Sequence, residues 1–291
     1  MHSTPDKRAQ RPGLMLVDLL CTVRGCGEPL RREGARWFCT RNHSFDQHRS
    51  GALNLLQPQD RRSKSPGDSR EAAQARHFLA GLGHADAVHR ALAHAISVRA
   101  NGGPATVLDV GCGEGALLRH LSALQGLERH GVDISAPSIE MAAKAGPDVL
   151  FVVANADRFL PYADHSFDFV TSIDARVNAD EFARVLRPGG LVLVAVPAPD
   201  DLIELRERVQ GVKVEKSRAP RVESEMADGF ALHDRTTVRE TRMFDPLALR
   251  AILTATYRGF RQSERAAVES LSAMTVTLAH DVLAFERHLQ T

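Results

Sequence analysis

The sequence predicts an α/β protein: a mostly parallel sheet flanked by helices, with a small metal-stabilised ribbon in front of it. Two observations lead to this fold class. From residue 105 onward, short apolar runs rich in β-branched residues alternate with segments of helical spacing, as in parallel sheets covered on both faces. Ahead of them, cysteines and histidines between residues 21 and 43 are spaced like metal ligands.

Length and composition are those of a globular protein. The chain has 291 residues, 43% of them hydrophobic and 25% charged, which allows one large or two unequal domains. No apolar run approaches the roughly 18–20 residues needed to span a membrane. The first residues lack the apolar core of a secretory signal, so a cytoplasmic location is expected. Four cysteines in such a chain do not indicate a disulfide framework.

Charge is distributed unevenly along the chain. Residues 1–76 carry 14 Lys and Arg against 8 Asp and Glu, whereas residues 77–291 carry 23 against 28. A basic N-terminal part followed by an acidic remainder is typical of a protein that binds a polyanion. A solvated basic segment without any partner is the alternative.

The N-terminal part divides into a tail, a ribbon and a linker. Residues 1–13 are polar and expected to be disordered, and residues 14–56 are predicted to form a zinc ribbon. Two short knuckles would supply its four ligands, which are Cys21, Cys26, Cys39 and His43. His48 competes for the fourth position, and three unrelated reduced thiols remain an alternative. A segment this short has almost no core, so the metal would supply its folding energy.

Residues 57–69 are rich in Pro, Gly, Ser and basic residues, which is typical of a domain linker. Its basic side chains, Arg61, Arg62 and Lys64, could lie along a phosphate backbone. Residues 70–291 form the predicted catalytic domain. It opens with two helices over residues 70–100, where apolar residues recur at helical spacing.

The central motif is a strand that runs through a glycine-rich turn into a helix. Asp109 lies within this strand, and Gly111, Gly113 and Gly115 follow it. Glycines at such a turn let the backbone approach a ligand closely. The next strand ends in Asp133, 24 positions after Asp109, where a carboxylate can accept both hydroxyls of a ribose. An ordinary tight turn is the alternative.

The glycine spacing differs from that of a dinucleotide fold, and Glu114 stands where it would repel a phosphate. A ligand with a cationic or zwitterionic end is therefore favoured. The stretch resembles the S-adenosylmethionine (SAM) site of Rossmann-like class I methyltransferases, in which a mostly parallel seven-stranded sheet carries the cofactor. Cys112, within the turn, is interpreted as a small loop residue and not as a nucleophile.

Later elements continue the alternation of strands and helices. One strand ends in Asn155-Ala156-Asp157, whose polar groups could meet an adenine edge, and another spans residues 166–174. A helix near residues 179–186 is closed by Arg-Pro-Gly-Gly before a strand at 191–197. Residues 211–240 are poorly patterned and suggest an insertion or a mobile cover. Residues 273–279 and 281–287 are predicted to form a closing hairpin.

Several segments together resemble one family more closely. A Cys/His ribbon, Phe45-Asp46, Gly51-x-x-Asn-Leu-Leu56 and Pro66-Gly-Asp-Ser69 precede the SAM motif. The chain is thereby similar to the 23S rRNA guanine-N1 methyltransferases, the rRNA large-subunit methyltransferase A family, over roughly residues 18–200. That family includes macrolide-resistance enzymes.

The resemblance implies that SAM donates its methyl group to N1 of a guanine in a hairpin loop of 23S rRNA. It also implies one structural Zn²⁺, with ribbon and linker gripping the RNA. By position, the cofactor site would comprise residues around three strand ends: Asp109, Gly111, Gly113, Asp133, Asn155, Ala156 and Asp157.

The segment after the fourth strand of the catalytic domain departs from the family pattern. Asp174 stands where an aromatic residue is expected, and Arg176 where a proline is expected. Guanine N1 must lose a proton, so Asp174 is the candidate that accepts it or binds the guanine edge. A helix cap or a salt-bridged surface acid is the alternative for Asp174.

Other functions stay open at this point: a methyltransferase for a small molecule or protein, or a catalytically silent rRNA- or partner-binding protein of the same fold. Drug resistance conferred by the protein and formation of a homodimer are further possibilities that the sequence leaves open.

Overall fold

A computed structural model of the chain describes residues 17–59, 67–211, 217–256 and 267–288. The expected disordered tail, residues 1–13, and the predicted RNA-binding residues Arg61, Arg62 and Lys64 lie outside the described residues. None of the described helices combines the length and apolar character that crossing a bilayer requires.

The ribbon is a three-stranded antiparallel sheet. Its strands are β1 (Arg31–Glu33), β2 (Arg36–Phe38) and β3 (Ser44–Asp46), paired in that order. The buried residues of the ribbon pack against the main body of the protein. Leu19, Cys21 and Cys39 lie in one apolar cluster with residues of the central strands. Leu19 also forms a β-bridge with Tyr162. The ribbon therefore shares a core with the catalytic domain.

Eight further strands form one large sheet. They are β4 (Leu53–Asn54), β5 (Ala105–Val110), β6 (Leu127–Asp133), β7 (Leu150–Val153), β8 (Phe167–Ile173), β9 (Leu186–Pro197), β10 (Phe230–Phe244) and β11 (Met274–Arg287). Their order across the sheet is β10-β11-β9-β8-β5-β6-β7-β4. Neighbours from β4 to β9 run parallel, and β11 pairs antiparallel with both β9 and β10.

The catalytic sheet has seven strands, β5 to β11, the number that the fold class implies, and β4 adds an eighth at one edge. Leu53 pairs with Val152 and Asn54 with Val153, directly after the ribbon. Leu53 and Leu55 are completely or almost completely buried. Backbone pairing and apolar burial thus attach the segment that follows the ribbon to the main sheet.

Among the described residues, helices with defined bounds cover the sheet: α1 (Arg70–Gly81), α2 (Asp86–Ala100), α3 (Ala116–His120), α4 (Ala136–Ala145), α5 (Ala179–Val185), α6 (Ile203–Gln210), α7 (Ala219–Met226) and α8 (Pro246–Thr256). Side chains directly before four of them accept a hydrogen bond from the first turn. Ser69 caps α1, Ser135 caps α4, Asn178 caps α5 and Asp245 caps α8. Both helices predicted over residues 70–100 are confirmed.

The C-terminal third differs from the prediction. Residues 219–226 and 230–244 form α7 and β10, so most of the poorly patterned segment is regular structure. The two strands predicted for a closing hairpin are one strand, β11, and its antiparallel neighbour is β10. The prediction was wrong because β10 has no apolar alternation: as an edge strand it is mostly exposed and rich in charge.

Residues 187–190, expected to form a turn, lie within β9. The pairing of β9 with β8 is irregular there, since Phe167 pairs with Leu186 and Phe169 with Leu191. The Pro-Gly-Gly sequence is accommodated as a bulge in a strand instead of ending it.

The strand order creates the crevice that a ligand would use. From β5 the chain moves outward through β6 to β7, then returns to β8 on the other side of β5. Loops at the carboxyl ends of β5 and β8 therefore diverge, and open parallel sheets bind ligands where they do so.

Candidate active site and metal centre

A cleft of about 1660 Å³ lies over the carboxyl ends of the central strands. The loops that follow β5, β6, β7 and β8 line it, together with residues of α1, α7 and β11. All predicted cofactor residues and Asp174 line this one cleft. The structure therefore brings together residues that are up to 65 positions apart in the sequence.

The loop from Gly111 to Gly115, called the donor loop below, joins β5 to α3. All three of its glycines have positive φ, at 76°, 54° and 80°. A side chain at Gly111 would meet the Ala175 Cβ at 2.4 Å, and one at Gly115 would meet the Phe151 ring at 2.8 Å. At Gly113 a Cβ would meet nothing within 4 Å. Packing therefore explains two of the glycines, whereas Gly113 presents bare backbone to open space.

Asp133, at the end of β6, is held by backbone amides. Its Oδ2 accepts a hydrogen bond from Gly113 N at 3.0 Å, and its Oδ1 accepts one from Ser135 N at 2.7 Å. Burial raises the pKa of this carboxyl group, and the two amide hydrogen bonds oppose that rise. The carboxylate is thus fixed beside the donor loop with lone pairs left for a ligand's hydroxyls.

Asp109 is buried at 3% exposure, and its Oδ1 accepts a hydrogen bond from Thr171 Oγ1 at 2.8 Å. Burial, together with the charges of Asp133 and Glu114, raises its pKa to about 7, although the Thr171 hydrogen bond opposes the rise. Glu114 is also buried, but Arg119 binds it at 2.6 Å. A cationic group in this pocket would relieve the repulsion between Asp109 and Asp133.

Segments after β7 and β8 are tied together across the cleft. Arg176 Nη1 donates to Asp157 Oδ2 at 2.9 Å, and Asn178 Nδ2 donates to the Ala156 carbonyl at 3.0 Å. Asn155 is buried, and its Oδ1 accepts a hydrogen bond from Asp157 N. Arg176, which replaces the expected proline, therefore orders the segment predicted to face the adenine.

Asp174 begins the segment of residues 174–178 that follows β8, called the acceptor segment below. Its φ is 54°, a strained value for a non-glycine residue, and its backbone N–H donates to the Ala195 carbonyl. Both carboxylate oxygens lie 3.3 Å from His280 Nε2 on β11. Burial raises the pKa of Asp174, but His280, Arg76 and Arg218 outweigh it, and the net pKa is lowered.

Sequence reasoning did not identify His280, which is far from every motif. It lies beside the end of β9, opposite Pro197, because β11 enters the sheet antiparallel. Two further titratable groups line the same end of the cleft. Partial burial raises the pKa of Asp201 to about 6 and lowers the pKa of His84 to about 4.

Four predicted ligands meet in the ribbon. The donor atoms of Cys21, Cys26, Cys39 and His43 all lie within 4.8 Å of one another. Cys26 and Cys39 sulfurs are 3.8 Å apart, and His43 Nδ1 is 3.4 Å from two of the sulfurs. A tetrahedral zinc with Zn–S bonds of about 2.3 Å holds its sulfurs roughly 3.8 Å apart. The residue types of this donor set and the distances among them suit a tetrahedral zinc site.

Two other residues considered in the sequence analysis are outside this cluster. His48 Nδ1 lies 2.8 Å from Ser50 Oγ and does not join the four donor atoms. Cys112 is buried, and burial raises its pKa well above that of a free thiol, which makes it unreactive.

Comparison with known proteins agrees with this geometry. A family model for the methyltransferase domain matches residues 108–194, and the zinc-ribbon model described as "RlmA, N-terminal" matches residues 20–64. The 23S rRNA (guanine(748)-N(1))-methyltransferase of Streptomyces fradiae is 32% identical over 226 residues, covering 77% of this chain and 80% of the relative. This chain belongs to the 23S rRNA (guanine-N1)-methyltransferase family.

A Bacillus subtilis protein named "Putative 23S rRNA (guanine-N(1)-)-methyltransferase YxjB" is 34% identical over 234 residues, with 77% of this chain and 80% of the relative covered. Among solved structures, the YcgJ protein from Bacillus subtilis is 20% identical, with a TM-score of 0.45 over 64% of this chain and 93% of that one. As a member of the family, the chain is a SAM-dependent methyltransferase with a structural zinc ribbon.

Proposed function

We propose that this protein transfers the methyl group of SAM to N1 of a guanine in a hairpin loop of 23S rRNA. One observation carries the proposal. A single cleft has a buried acidic pocket at β5 and β6, suited to a cationic donor, and a second end at β8, β9 and β11 with the Asp174–His280 pair. The two ends provide places for a donor and an acceptor side by side.

On the donor side, the residues present fit SAM. Asp109 would face the methionine amine, and Asp133 would hold the ribose hydroxyls. The backbone at Gly111 and Gly113 would follow the ligand closely, because nothing occupies the space beside Gly113. The segment Asn155-Ala156-Asp157 would face the adenine. The negative charge of this pocket supports the assignment, since SAM carries a sulfonium and an ammonium group.

Bound SAM supplies a methyl group on an electrophilic sulfonium sulfur. The protein's contribution is to align the guanine with it, which is the main requirement of a direct displacement. The base would have to leave its stack in the RNA loop to reach the cleft. Asp174, predicted to accept the N1 proton or to bind the guanine edge, lies at this acceptor end of the cleft.

The ribbon and the linker are proposed to bind the RNA. Arg31 and Arg36 are exposed on β1 and β2, where they could contact phosphates, and linker residues Arg61, Arg62 and Lys64 remain predicted contacts. The four-residue cluster of Cys21, Cys26, Cys39 and His43 would hold the zinc ion. An rRNA substrate implies a cytoplasmic location. Every residue used here belongs to one chain, so the proposal does not depend on a homodimer.

The test is the nucleoside composition of 23S rRNA from cells with and without the gene, measured by mass spectrometry. We expect N1-methylguanosine to disappear in the deletion and to return with the wild-type gene. Asp109→Ala should fail to restore it, whereas Asp234→Ala, at an exposed position on β10, should restore it fully.

Unchanged 23S rRNA in the deletion strain would overturn the proposal. If a methylated nucleoside other than N1-methylguanosine disappears with the gene, the substrate is still 23S rRNA, but the methyl group is transferred to a different acceptor atom.

A further inference from the structure

The acceptor end of the cleft contains one arrangement that the proposed function does not yet use. His280 Nε2 lies 3.3 Å from both oxygens of Asp174, and both residues line the cleft. Asp174 follows β8 and His280 is opposite the end of β9, so the pair lies on the far side of β5 from the ribose-binding carboxylate at the end of β6. The pair therefore lies at the end of the cleft that the proposed function gives to the guanine base.

Building on the proposed function, we infer that His280 accepts the proton that leaves guanine N1, and that Asp174 is the carboxylate that orients the His280 ring. His280 is then a catalytic residue, and Asp174 is a positioning residue for it.

Hydrogen bonding determines which ring nitrogen is available. Among the residues that the structure describes, Asp174 is the one hydrogen-bond partner of the His280 ring. A carboxylate only accepts, so in neutral His280 the proton is on Nε2 and the Nδ1 lone pair is free. Asp174 itself is rigidly placed, since its strained backbone is held to the Ala195 carbonyl. The pair thus leaves one basic nitrogen on a residue that lines the cleft.

Surrounding charges favour His280 over Asp174 as the base. Burial lowers the pKa of His280, but Asp174, Asp201 and Asp281 more than compensate, and the net pKa is raised above its usual 6.5. Of the other groups near it, the half-buried His84 and the buried His89 have pKa values lowered to about 4 by desolvation, so both are neutral at physiological pH. The pKa of Asp174 is lowered, which makes it a weak base.

The step balances in atoms and charge. The N1–CH₃ bond forms as the S–CH₃ bond breaks, and the bonding pair of S–CH₃ stays on sulfur, which becomes a neutral thioether. The N1–H pair of electrons stays on the guanine while the proton passes to His280 Nδ1. The positive charge of the sulfonium therefore ends on the imidazolium, where the Asp174 carboxylate stabilises it.

The first experiment follows single-turnover methylation of 23S rRNA from the deletion strain at saturating SAM, across pH. The wild-type rate should rise with pH and level off above the pKa of His280, because the neutral ring is the base. His280→Gln should lower the rate roughly 10²–10⁴-fold and remove this inflection. Asp174→Asn should lower the plateau and move the inflection to lower pH. His233→Gln, an exposed histidine on β10, should match the wild type.

A second readout needs no activity. The imidazole resonance that His280→Gln removes from the NMR spectrum is that of His280, and its titration midpoint should fall in Asp174→Asn. An unshifted midpoint would overturn the role of Asp174.

The two proposals fail in distinguishable ways. If His280→Gln methylates 23S rRNA at the wild-type rate with the same pH profile, the inference is wrong and the proposed function stands. If the wild-type protein does not methylate 23S rRNA at all, the proposed function fails, and the role of His280 fails with it.

Discussion

Asp174 and His280 are 106 residues apart in the chain, and their side chains meet at 3.3 Å at the carboxyl edge of the sheet. Asp174 directly follows the parallel strand β8, and His280 belongs to the antiparallel strand β11, with β9 between the two strands in the sheet. The contact joins the acceptor segment to the C-terminal third of the chain. It therefore has consequences for stability as well as for chemistry.

Because folding lowers the pKa of Asp174 and raises that of His280, the pair stabilises the protein only while both groups are charged. His280 contributes fully below its unfolded pKa of about 6.5, and this contribution is lost as pH rises through its higher folded pKa. Asp174→Asn should therefore lower the melting temperature more at about pH 5.5 than at about pH 9.

Thermal unfolding of wild type and variant at both pH values measures this difference. His233→Gln is the control, because His233 is exposed on β10. An equal loss at both pH values would mean that the ion pair adds nothing beyond a neutral hydrogen bond.

SAM binding should depend on the ionisation of Asp109. Its pKa is about 7 in the free protein, and a cationic ligand favours the charged carboxylate. SAM affinity should therefore rise between about pH 6 and about pH 7.5 as Asp109 loses its proton. Isothermal titration calorimetry measures both the affinity and the proton release.

Asp109→Asn keeps an acceptor for Thr171 but removes the charge, so affinity should fall roughly 10- to 100-fold, the value of a charge-assisted hydrogen bond. The pH dependence should disappear as well. Asp234→Asn, on the exposed strand β10, should bind as the wild type does. If SAM affinity in Asp109→Asn still depends on pH, the ionisation of another group causes that dependence.

Two glycines of the donor loop should respond differently to alanine. Gly111→Ala places a Cβ 2.4 Å from that of Ala175 at a φ of 76°, so it should destabilise the fold by more than the roughly 1–2 kcal/mol of backbone strain. Gly113→Ala has the backbone strain without the clash, because no described atom lies within 4 Å of the added Cβ.

We therefore expect Gly113→Ala to fold with a smaller loss of melting temperature but to bind SAM weakly, since its methyl group occupies the space left for the ligand. Melting curves with and without SAM separate these effects. Wild-type SAM affinity in Gly113→Ala would show that the cofactor does not pass beside this residue.

Zinc content should depend on the four ribbon ligands and not on Cys112. Wild-type protein should contain one zinc per chain, and Cys39→Ser should lose it, because a tetrahedral structural site needs all four ligands. Cys112→Ser is the matched control, since Cys112 is the remaining one of the four cysteines and lies in the donor loop. Metal analysis of the purified proteins decides the outcome.

Loss of zinc should also lower the melting temperature of the whole protein. Cys21 and Cys39 are buried in the cluster that contains the central strands, and Leu19 bridges to Tyr162. If the catalytic domain of Cys39→Ser melts as in the wild type, the shared core contributes little.

Much of the site was predictable because local sequence encodes it. Asp109, the donor-loop glycines and Asp133 mark strand ends, and the carboxyl ends of parallel strands meet at one edge whatever the rest of the chain does. The zinc ligands were predictable for a similar reason: two knuckles at short spacing leave few ways to form a tetrahedron. These residues could be named before any tertiary contact was known, although their individual roles remain predictions.

The sequence by itself thus determined the α/β class, the ribbon ligands and the strand ends that line the cleft. Only the tertiary structure decided that β10 and β11 pair along the sheet edge, that the ribbon shares the main core, and that His280 meets Asp174. The physical reason is that the period of apolar residues reports burial within one element, whereas pairing between distant elements depends on which surfaces pack together. An exposed, charged edge strand such as β10 has no such period. The role inferred for His280 within β11 depends on its contact with the Asp174 carboxylate, which comes from another strand end.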